Sequence, residues 1–406
     1  MFARSELLML TASLAVLAGC ATTDQGTRTV GERPQELNST EASLWYRMDE
    51  AEENLRSSGR VIDDPALTGY VDALVCRIAG EFCPDVRVYV VNNPGFNAMM
   101  APNGMMVINS GLLLRAESED ELGFVIGHEL VHYLENHALE QHAAARNANI
   151  TAAVVGSVLS IGVAAATGGV PGQGYSGSGA SIATALAYGG AYAYSRERES
   201  EADRMGLQLA SAAGLDPKAG PKIWNDLLNE LEASDDNRRA ARANRGGMFR
   251  THPVIQARIE ALEEEAASMQ GEPADSTAFR AAVAPFINDW LDAEIALRDY
   301  GSTLQLIERR IAAGGHEGVF LAAKARVLGM RDDEGDFDRA LETYEAAAAY
   351  ADMPAQAYRD LGELNRRAGR PAEAAEAFTT YLQRVPDARD ALLVERYIQT
   401  LMGESE

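Results

Sequence analysis

His128-Glu129-Leu130-Val131-His132, set within GFVIGHELVHYLENH at residues 123–137, is the stretch from which the rest of the chain can be read. Two imidazoles four residues apart lie on one face of a helix, and the glutamate between them projects near the same point. One helical turn then offers two metal ligands and a general base. The flanking residues predict the helix. Ser118-Glu119-Asp120-Glu121 fits a capping box, and Leu122, Val125, Ile126 and Leu130 follow at helical spacing, so the helix starts near Ser118 and carries the histidines well inside it. The competing reading is two satisfied histidines on an ordinary core helix.

A catalytic zinc site takes three protein ligands and keeps one position for water, so a third ligand must come from elsewhere. The acidic cluster after Tyr194 offers Glu197, Glu199, Glu201 and Asp203. Glu199 and Asp203 share a helical face, giving a ligand and a carboxylate able to orient an imidazole; Glu197 and Glu201 have the same spacing, and spacing does not choose between the pairs. His137 and His142 fall outside ligand spacing and are expected to be structural.

The chain of 406 residues is long enough for two domains, and its 60 Asp and Glu against 36 Lys and Arg give a net charge of -24, which disfavours nucleic acid as a partner. Residues 1–19 read as a targeting segment: Arg4 precedes an apolar run at 7–17 that is too short to span a bilayer. Leu17-Ala18-Gly19-Cys20 resembles the lipobox of bacterial lipoproteins, which implies lipidation of Cys20 and a membrane anchor. Residue 21 is alanine rather than an inner-membrane retention aspartate, so an outer-membrane anchor facing the periplasm is expected. In such an oxidising compartment Cys76 and Cys83 could pair as a disulfide, and their spacing also suits two free thiols.

Residues 20–40 are polar and aperiodic and read as a tether. Helices are expected over 41–59 and 65–80, then a strand at 86–91 and a hairpin of 96–100 with 105–109 around Asn103-Gly104, giving a small antiparallel sheet whose edge could hold an extended substrate. Residues 150–194 suggest two small-residue helices joined by a mobile loop, a lid over the site, with a membrane hairpin as the alternative; the second helix is expected to run on to about Ala213, where Gly214 ends it. Two more helices follow at 221–231 and 253–269, separated by a basic loop around 237–247, and residues 271–284 read as a linker.

Beyond the linker, Gly335, Ala340 and Tyr344 recur 34 residues later as Gly369, Ala374 and Phe378, with Gly301 one period earlier and Pro386 closing the last copy. That is the period of tetratricopeptide repeats, expected over 285–400 as an all-α solenoid with a concave face for protein.

HELVH, then SRERESEADRMG, then FRTHPVIQARI resembles the gluzincin family of the membrane protease HtpX and the CaaX prenyl endopeptidases, in its soluble periplasmic branch with C-terminal repeats. The resemblance implies an α+β zincin-like peptidase domain over 41–270, mostly helical with its small antiparallel sheet, and one zinc per chain. It implies Glu199 as the third ligand beside His128 and His132, Asp203 as a brace, Glu129 as the base, and His252 of Thr251-His252-Pro253 as a transition-state donor or a gating ligand. The activity implied is endoproteolysis of unfolded or misassembled envelope proteins. The alternative is a periplasmic chaperone for outer-membrane proteins, engaging their assembly machinery through the repeats.

Overall fold

The computed structural model describes residues 27–34, 39–147, 194–235, 252 and 256–403. The expectations for Cys20 and its leader, for the two small-residue helices between 150 and 193, and for the basic loop at 237–247 fall outside these residues. Among the described residues no helix is long and apolar enough to cross a membrane.

Helix α1 (Thr40–Arg56) is followed by α2 (Pro65–Ala79), whose start is set by Asp64: its carboxylate accepts from the N–H groups of Ala66 and Leu67 at 3.0 and 2.9 Å, with Pro65 in the first turn. Leu67, Val71, Leu74 and Ile78 are buried, as their spacing predicts. Cys76 and Cys83 are joined by a disulfide across the turn that leads to the sheet.

Strands β1 (Arg87–Val91), β2 (Ala98–Met100) and β3 (Met105–Asn109) stand in the order β1-β3-β2. The β2–β3 hairpin is antiparallel, as expected, and turns at Gly104, where φ is 90° and an added Cβ would lie 2.0 Å from the Asp85 carbonyl oxygen. The sheet as a whole is mixed rather than antiparallel, because β1 runs parallel to β3, from Arg87 opposite Met105 to Val91 opposite Asn109. All five β3 residues are buried, and a strand so apolar takes the centre with neighbours on both edges. The 92–97 segment carries the chain across to the far edge before the hairpin returns it.

Helix α1 covers the sheet with Leu44, Met48 and Leu55 against Val91, Met99, Met105 and Val107. Glu52 ties it down: its carboxylate accepts from Arg87 Nε and Nη2 at 2.6 Å, from Tyr89 at 2.8 Å and from Asn103 at 3.0 Å. Residues 27–34, within the stretch read as a tether, pack beside α1 with Arg28 buried.

After α3 (Ser110–Arg115) comes α4 (Glu119–Leu134), the helix of the two histidines. Ser118 Oγ accepts from the Glu121 N–H at 3.2 Å, and the Glu121 carboxylate reaches back to the Glu117 N–H at 2.8 Å. Helix α4 is buried from Glu119 to Tyr133, and α5 (His137–Asn147) follows after a short turn. Helix α6 (Arg196–Ala212) starts afresh instead of continuing an earlier helix through Tyr194: Ser195 is extended, with ψ 156°, and its Oγ accepts from the Arg198 N–H at 3.3 Å, an N-cap that breaks continuity. It ends where Gly214 adopts φ 83°. Helices α7 (Ala219–Glu232) and α8 (Gln256–Ser268) complete the surround of α4.

Helix α9 (Thr277–Val283) lies in the stretch read as a linker, and its Phe279 is fully buried. Beyond it run α10 (Ile287–Ile295), α11 (Tyr300–Ala313), α12 (Glu317–Arg331), α13 (Asp336–Ala347), α14 (Ala355–Arg367), α15 (Pro371–Arg384) and α16 (Ala391–Gly403), the all-α array that the 34-residue period predicts. One apolar core extends from Leu67 to Val327 and a second from Ala322 to Leu401, so the two meet within α12.

Candidate metal centre

Helices α4 and α6 cross at two glycines. A Cβ on Gly206 would lie 2.6 Å from the His128 nitrogen, and one on Gly127 would lie 2.6 Å from the Gly206 carbonyl oxygen. Backbones this close bring Glu199, two turns before Gly206 on the same face, over the histidines of α4.

The ligand-type atoms of His128, His132, Glu199 and His252 gather within 4.8 Å of one another, all buried. His128 Nε2 and His132 Nε2 are 3.2 Å apart; Glu199 Oε2 is 3.8 Å from the first and Glu199 Oε1 3.6 Å from the second. His252 Nδ1 enters the same space, 3.2 Å from His128 Nε2 and 2.8 Å from Glu199 Oε1. Of the carboxylates that spacing left open, Glu199 faces the histidines. Glu201 faces Arg198 and His137 instead, at 2.6 and 3.3 Å.

Two imidazoles and a carboxylate form a donor set suited to zinc. The structure adds a test of fit. Neither Glu199 oxygen makes a well-formed hydrogen bond among the described residues, although His252 Nδ1 and Arg258 Nη1 are each 2.8 Å away. A buried carboxylate aimed at converging nitrogens and short of hydrogen bonds is poised for a cation. The other acidic group close enough for a metal among the described residues, Glu117 with Glu121 and Asp226, is filled by the Lys222 ammonium at 2.7, 2.8 and 2.7 Å.

Asp203 lies against the far nitrogen of His128. Its Oδ1 lies 3.0 Å from His128 Nδ1 and accepts from Trp224 Nε1 at 3.1 Å, while Arg258 Nε donates to Oδ2 at 2.6 Å. Burial alone would raise this carboxyl, but the His128 and Arg258 hydrogen bonds outweigh it and hold Asp203 well below the usual carboxylate range. Arg258 spans both carboxylates, reaching Glu199 through Nη1 and Asp203 through Nε and Nη2. Its role went unread in the sequence, where only its place after Thr-His-Pro marked it.

Glu129 is buried on the rim, with Oε1 3.6 Å from His252 Nε2, and the backbone of Met100 on β2 hydrogen-bonds its carboxylate. Burial pushes Glu129 up from the ordinary glutamate value of 4.5, against the pull of His252 and His128. Burial opposes the charged form of His252 too, but there Glu199 and Glu129 prevail and raise it.

His137, expected to be structural, stands next to the centre: its Nδ1 is 2.9 Å from His132 Nδ1. The Tyr194 ring stacks on His132 with centroids 4.0 Å apart. Neither contact has a signal in sequence spacing, since both depend on turns outside α4.

A base carboxylate facing a triangle of two histidines and a glutamate is the working part of a metallopeptidase. The chain belongs to peptidase family M48, which matches residues 64–266, and a tetratricopeptide repeat family matches residues 331–389. It is 31% identical over 217 residues to the putative beta-barrel assembly-enhancing protease of Vibrio cholerae, covering 52% of this chain and 42% of that one. The beta-barrel assembly-enhancing protease of Escherichia coli O157:H7 is 29% identical over 229 residues, 53% of this chain and 42% of that one. The mitochondrial metalloendopeptidase OMA1 of Schizosaccharomyces pombe is 28% identical over 200 residues, 48% of this chain and 52% of that one. The chain thus spans about half or less of the length of these curated relatives.

Proposed function

We propose that this chain is a zinc metalloendopeptidase of the cell envelope, anchored to the outer membrane through lipidated Cys20 and facing the periplasm, that cleaves misfolded or misassembled envelope proteins. The observation that carries the reading is the buried triangle of His128, His132 and Glu199 with Glu129 beside it. Family membership, the names of the relatives and the Cys76–Cys83 disulfide support it.

His128, His132 and Glu199 would hold the ion, with Asp203 fixing His128. Bound there, zinc would supply Lewis acidity, making a water acidic and polarising the scissile carbonyl. Glu129, its proton affinity raised by burial, suits taking a proton from that water and passing it to the leaving amine. Strand β2 ends the sheet and touches Glu129 through Met100, so a substrate strand added along its outer edge would pass the base in extended form.

One observation favours a second reading, a chaperone or assembly factor with gated proteolysis: His252 Nδ1 stands where a fourth ligand would, 2.8 Å from Glu199 and 3.2 Å from His128. Glu129→Gln separates the claims. The variant should bind zinc like the wild type and fail to cleave an unfolded β-barrel protein; retained cleavage removes Glu129 as the base. Full correction of envelope defects by the inactive variant, in cells lacking the gene, would shift the assignment to the second reading.

A further inference from the structure

Arg28 lies in a polar stretch ahead of the M48 match, yet it is only 4% exposed. Its contacts converge on the C-terminal end of the histidine helix α4. The Arg28 N–H donates to the Leu134 carbonyl at 2.8 Å, Nε donates to the Tyr133 carbonyl at 3.2 Å, and Nη2 donates to Asn136 Oδ1 at 2.6 Å. The guanidinium also lies 4.3 Å from the centroid of the Tyr133 ring and 5.8 Å from that of Trp45 on α1. A helix leaves its last carbonyls unpaired and carries partial negative charge there, so Arg28 serves as both hydrogen-bond donor and countercharge. The Gly31 N–H donates to the Asp85 carboxylate at 2.7 Å, which fixes the segment further along.

A solvated tether needs no buried arginine, and burying one is costly unless its donors are matched. The match to Asn136 links this segment to the metal centre. Asn136 has φ 52° and turns the chain from α4 into α5. The next residue is His137, whose Nδ1 is 2.9 Å from His132 Nδ1 and whose Nε2 is 3.3 Å from Glu201. An imidazole ligand keeps its tautomer and direction through the partner on its other nitrogen, and losing that partner weakens metal binding about 10- to 100-fold.

We infer that residues 27–34 form a strap and that Arg28 is a positioning residue for the metal centre, locking the turn at Asn136 and, through His137, the ligand His132. The inference rests on the reading of His128, His132 and Glu199 as zinc ligands.

The test uses the full chain and two readouts: zinc affinity by competition with a chromogenic chelator, and amide exchange over residues 135–139 in the zinc-free protein. Arg28→Met keeps a long side chain beside Tyr133 and Trp45 and the backbone N–H to Leu134, but removes the charge and the two side-chain donors. It should weaken zinc about tenfold or more and speed exchange in the turn. Asn136→Gly keeps the left-handed backbone and removes the carboxamide that Arg28 meets, so it should reproduce the zinc loss even where the Arg28 variant folds poorly. Arg28→Met combined with His137→Ala should lose no more affinity than His137→Ala alone, because both act along one chain of contacts. Wild-type zinc affinity in folded Arg28→Met and Asn136→Gly overturns the strap, as do additive losses in the double variant. A lowered melting temperature with zinc affinity intact also overturns it, reducing Arg28 to a purely structural residue. Wild-type protein that binds no zinc overturns the ligand reading first, and the strap with it.

Discussion

Gly206→Ala probes the crossing of α4 and α6, on which the proposed metal centre depends. The new Cβ would lie 2.6 Å from the His128 nitrogen, 2.8 Å from its Cα and 3.0 Å from the Gly127 carbonyl carbon. These are backbone atoms of a buried helix and cannot swing aside. Ordinary contact begins near 3.4 Å, so α6 must move away by roughly 0.8 Å. Overpacking of this kind costs about 1–3 kcal/mol. The functional effect is larger in proportion, because zinc sites hold their ligand distances to about 0.2 Å. Glu199 rides on the same face of α6 and would retreat with it, so zinc affinity should fall at least about tenfold, as when a supporting contact is lost. Gly69→Ala is the control: nothing lies within 4 Å of its added Cβ, and it should be neutral or slightly stabilising. The assays are thermal unfolding of the zinc-free protein and zinc competition on the folded one. Gly206→Ala with wild-type zinc affinity would refute the argument that this crossing sets the position of Glu199.

The placement of His252 makes a signed prediction. On the gating reading, its Nδ1, 2.8 Å from Glu199, would compete with substrate for the fourth position, so His252→Ala should raise the rate of cleavage of an unfolded protein; a fall of about 100-fold in kcat would make it a transition-state donor instead. Glu52 gives a pH dependence. Burial would raise its carboxyl, but the hydrogen bonds from Arg87 and Tyr89 hold it below 4.5, so its contribution to stability is present above pH 4.5 and lost as pH falls through the folded-state value. The melting-temperature gap between wild type and Glu52→Gln should therefore shrink as pH is lowered from about 5 to about 3, and a gap that stays constant would mean that Glu52 contributes no charge effect.

The parts of this molecule that were legible in the sequence are those fixed by local rules. The start of α4 at Ser118, the burial of Leu67, Val71, Leu74 and Ile78 and the end of α6 at Gly214 follow from capping, periodicity and backbone freedom. The proximity of His128 and His132 belongs with them, because four residues on a helix is a distance. Glu199 was a different case. Its spacing to Asp203 was shared by Glu197 and Glu201, and only resemblance to a family separated the pairs; the structure separates them by which side of α6 packs on α4. What could not be read depends on tertiary approach. The parallel pairing of β1 with β3 needs the chain to cross the sheet, and a hairpin signal carries no information about the third strand. Gly127 and Gly206 are ordinary helix residues until the two helices are laid together. Arg28 is the extreme case, one of several charges in an aperiodic stretch, whose side-chain hydrogen-bond partners lie more than a hundred residues away.

The same contrast shows how the peptidase half is joined to the repeats. Arg115, just after the central strand, is buried between Glu230 of α7 and Glu294 of α10, at 2.7 and 2.8 Å. Arg309 of α11 donates to Glu117 at 2.7 Å and to Glu230 at 2.8 Å, and its neighbour Arg310 donates to the Ala116 carbonyl. All but the Arg309–Glu230 pair meet the short segment between β3 and α4, at Arg115, Ala116 or Glu117. A charged cluster buried this deeply would be strongly destabilised by the loss of one partner, since removing one half of a buried ion pair typically costs about 3–5 kcal/mol. It therefore resists hinging. The apolar core runs in the same direction, passing from the peptidase through Phe279, Trp290 and Ile307 to Phe320 without a break. Helices α10 to α12 thus behave as part of the catalytic body, and the freedom expected of a linker has no place at the point where α9 is packed. Any segment presented by α11 and α12 keeps a fixed register to strand β2 and to Glu129. Movement that admits substrate must then arise elsewhere, and on the gating reading proposed above it would be displacement of His252, which reaches His128 and Glu199 from outside α4 and α6, that opens the site without breaking this junction.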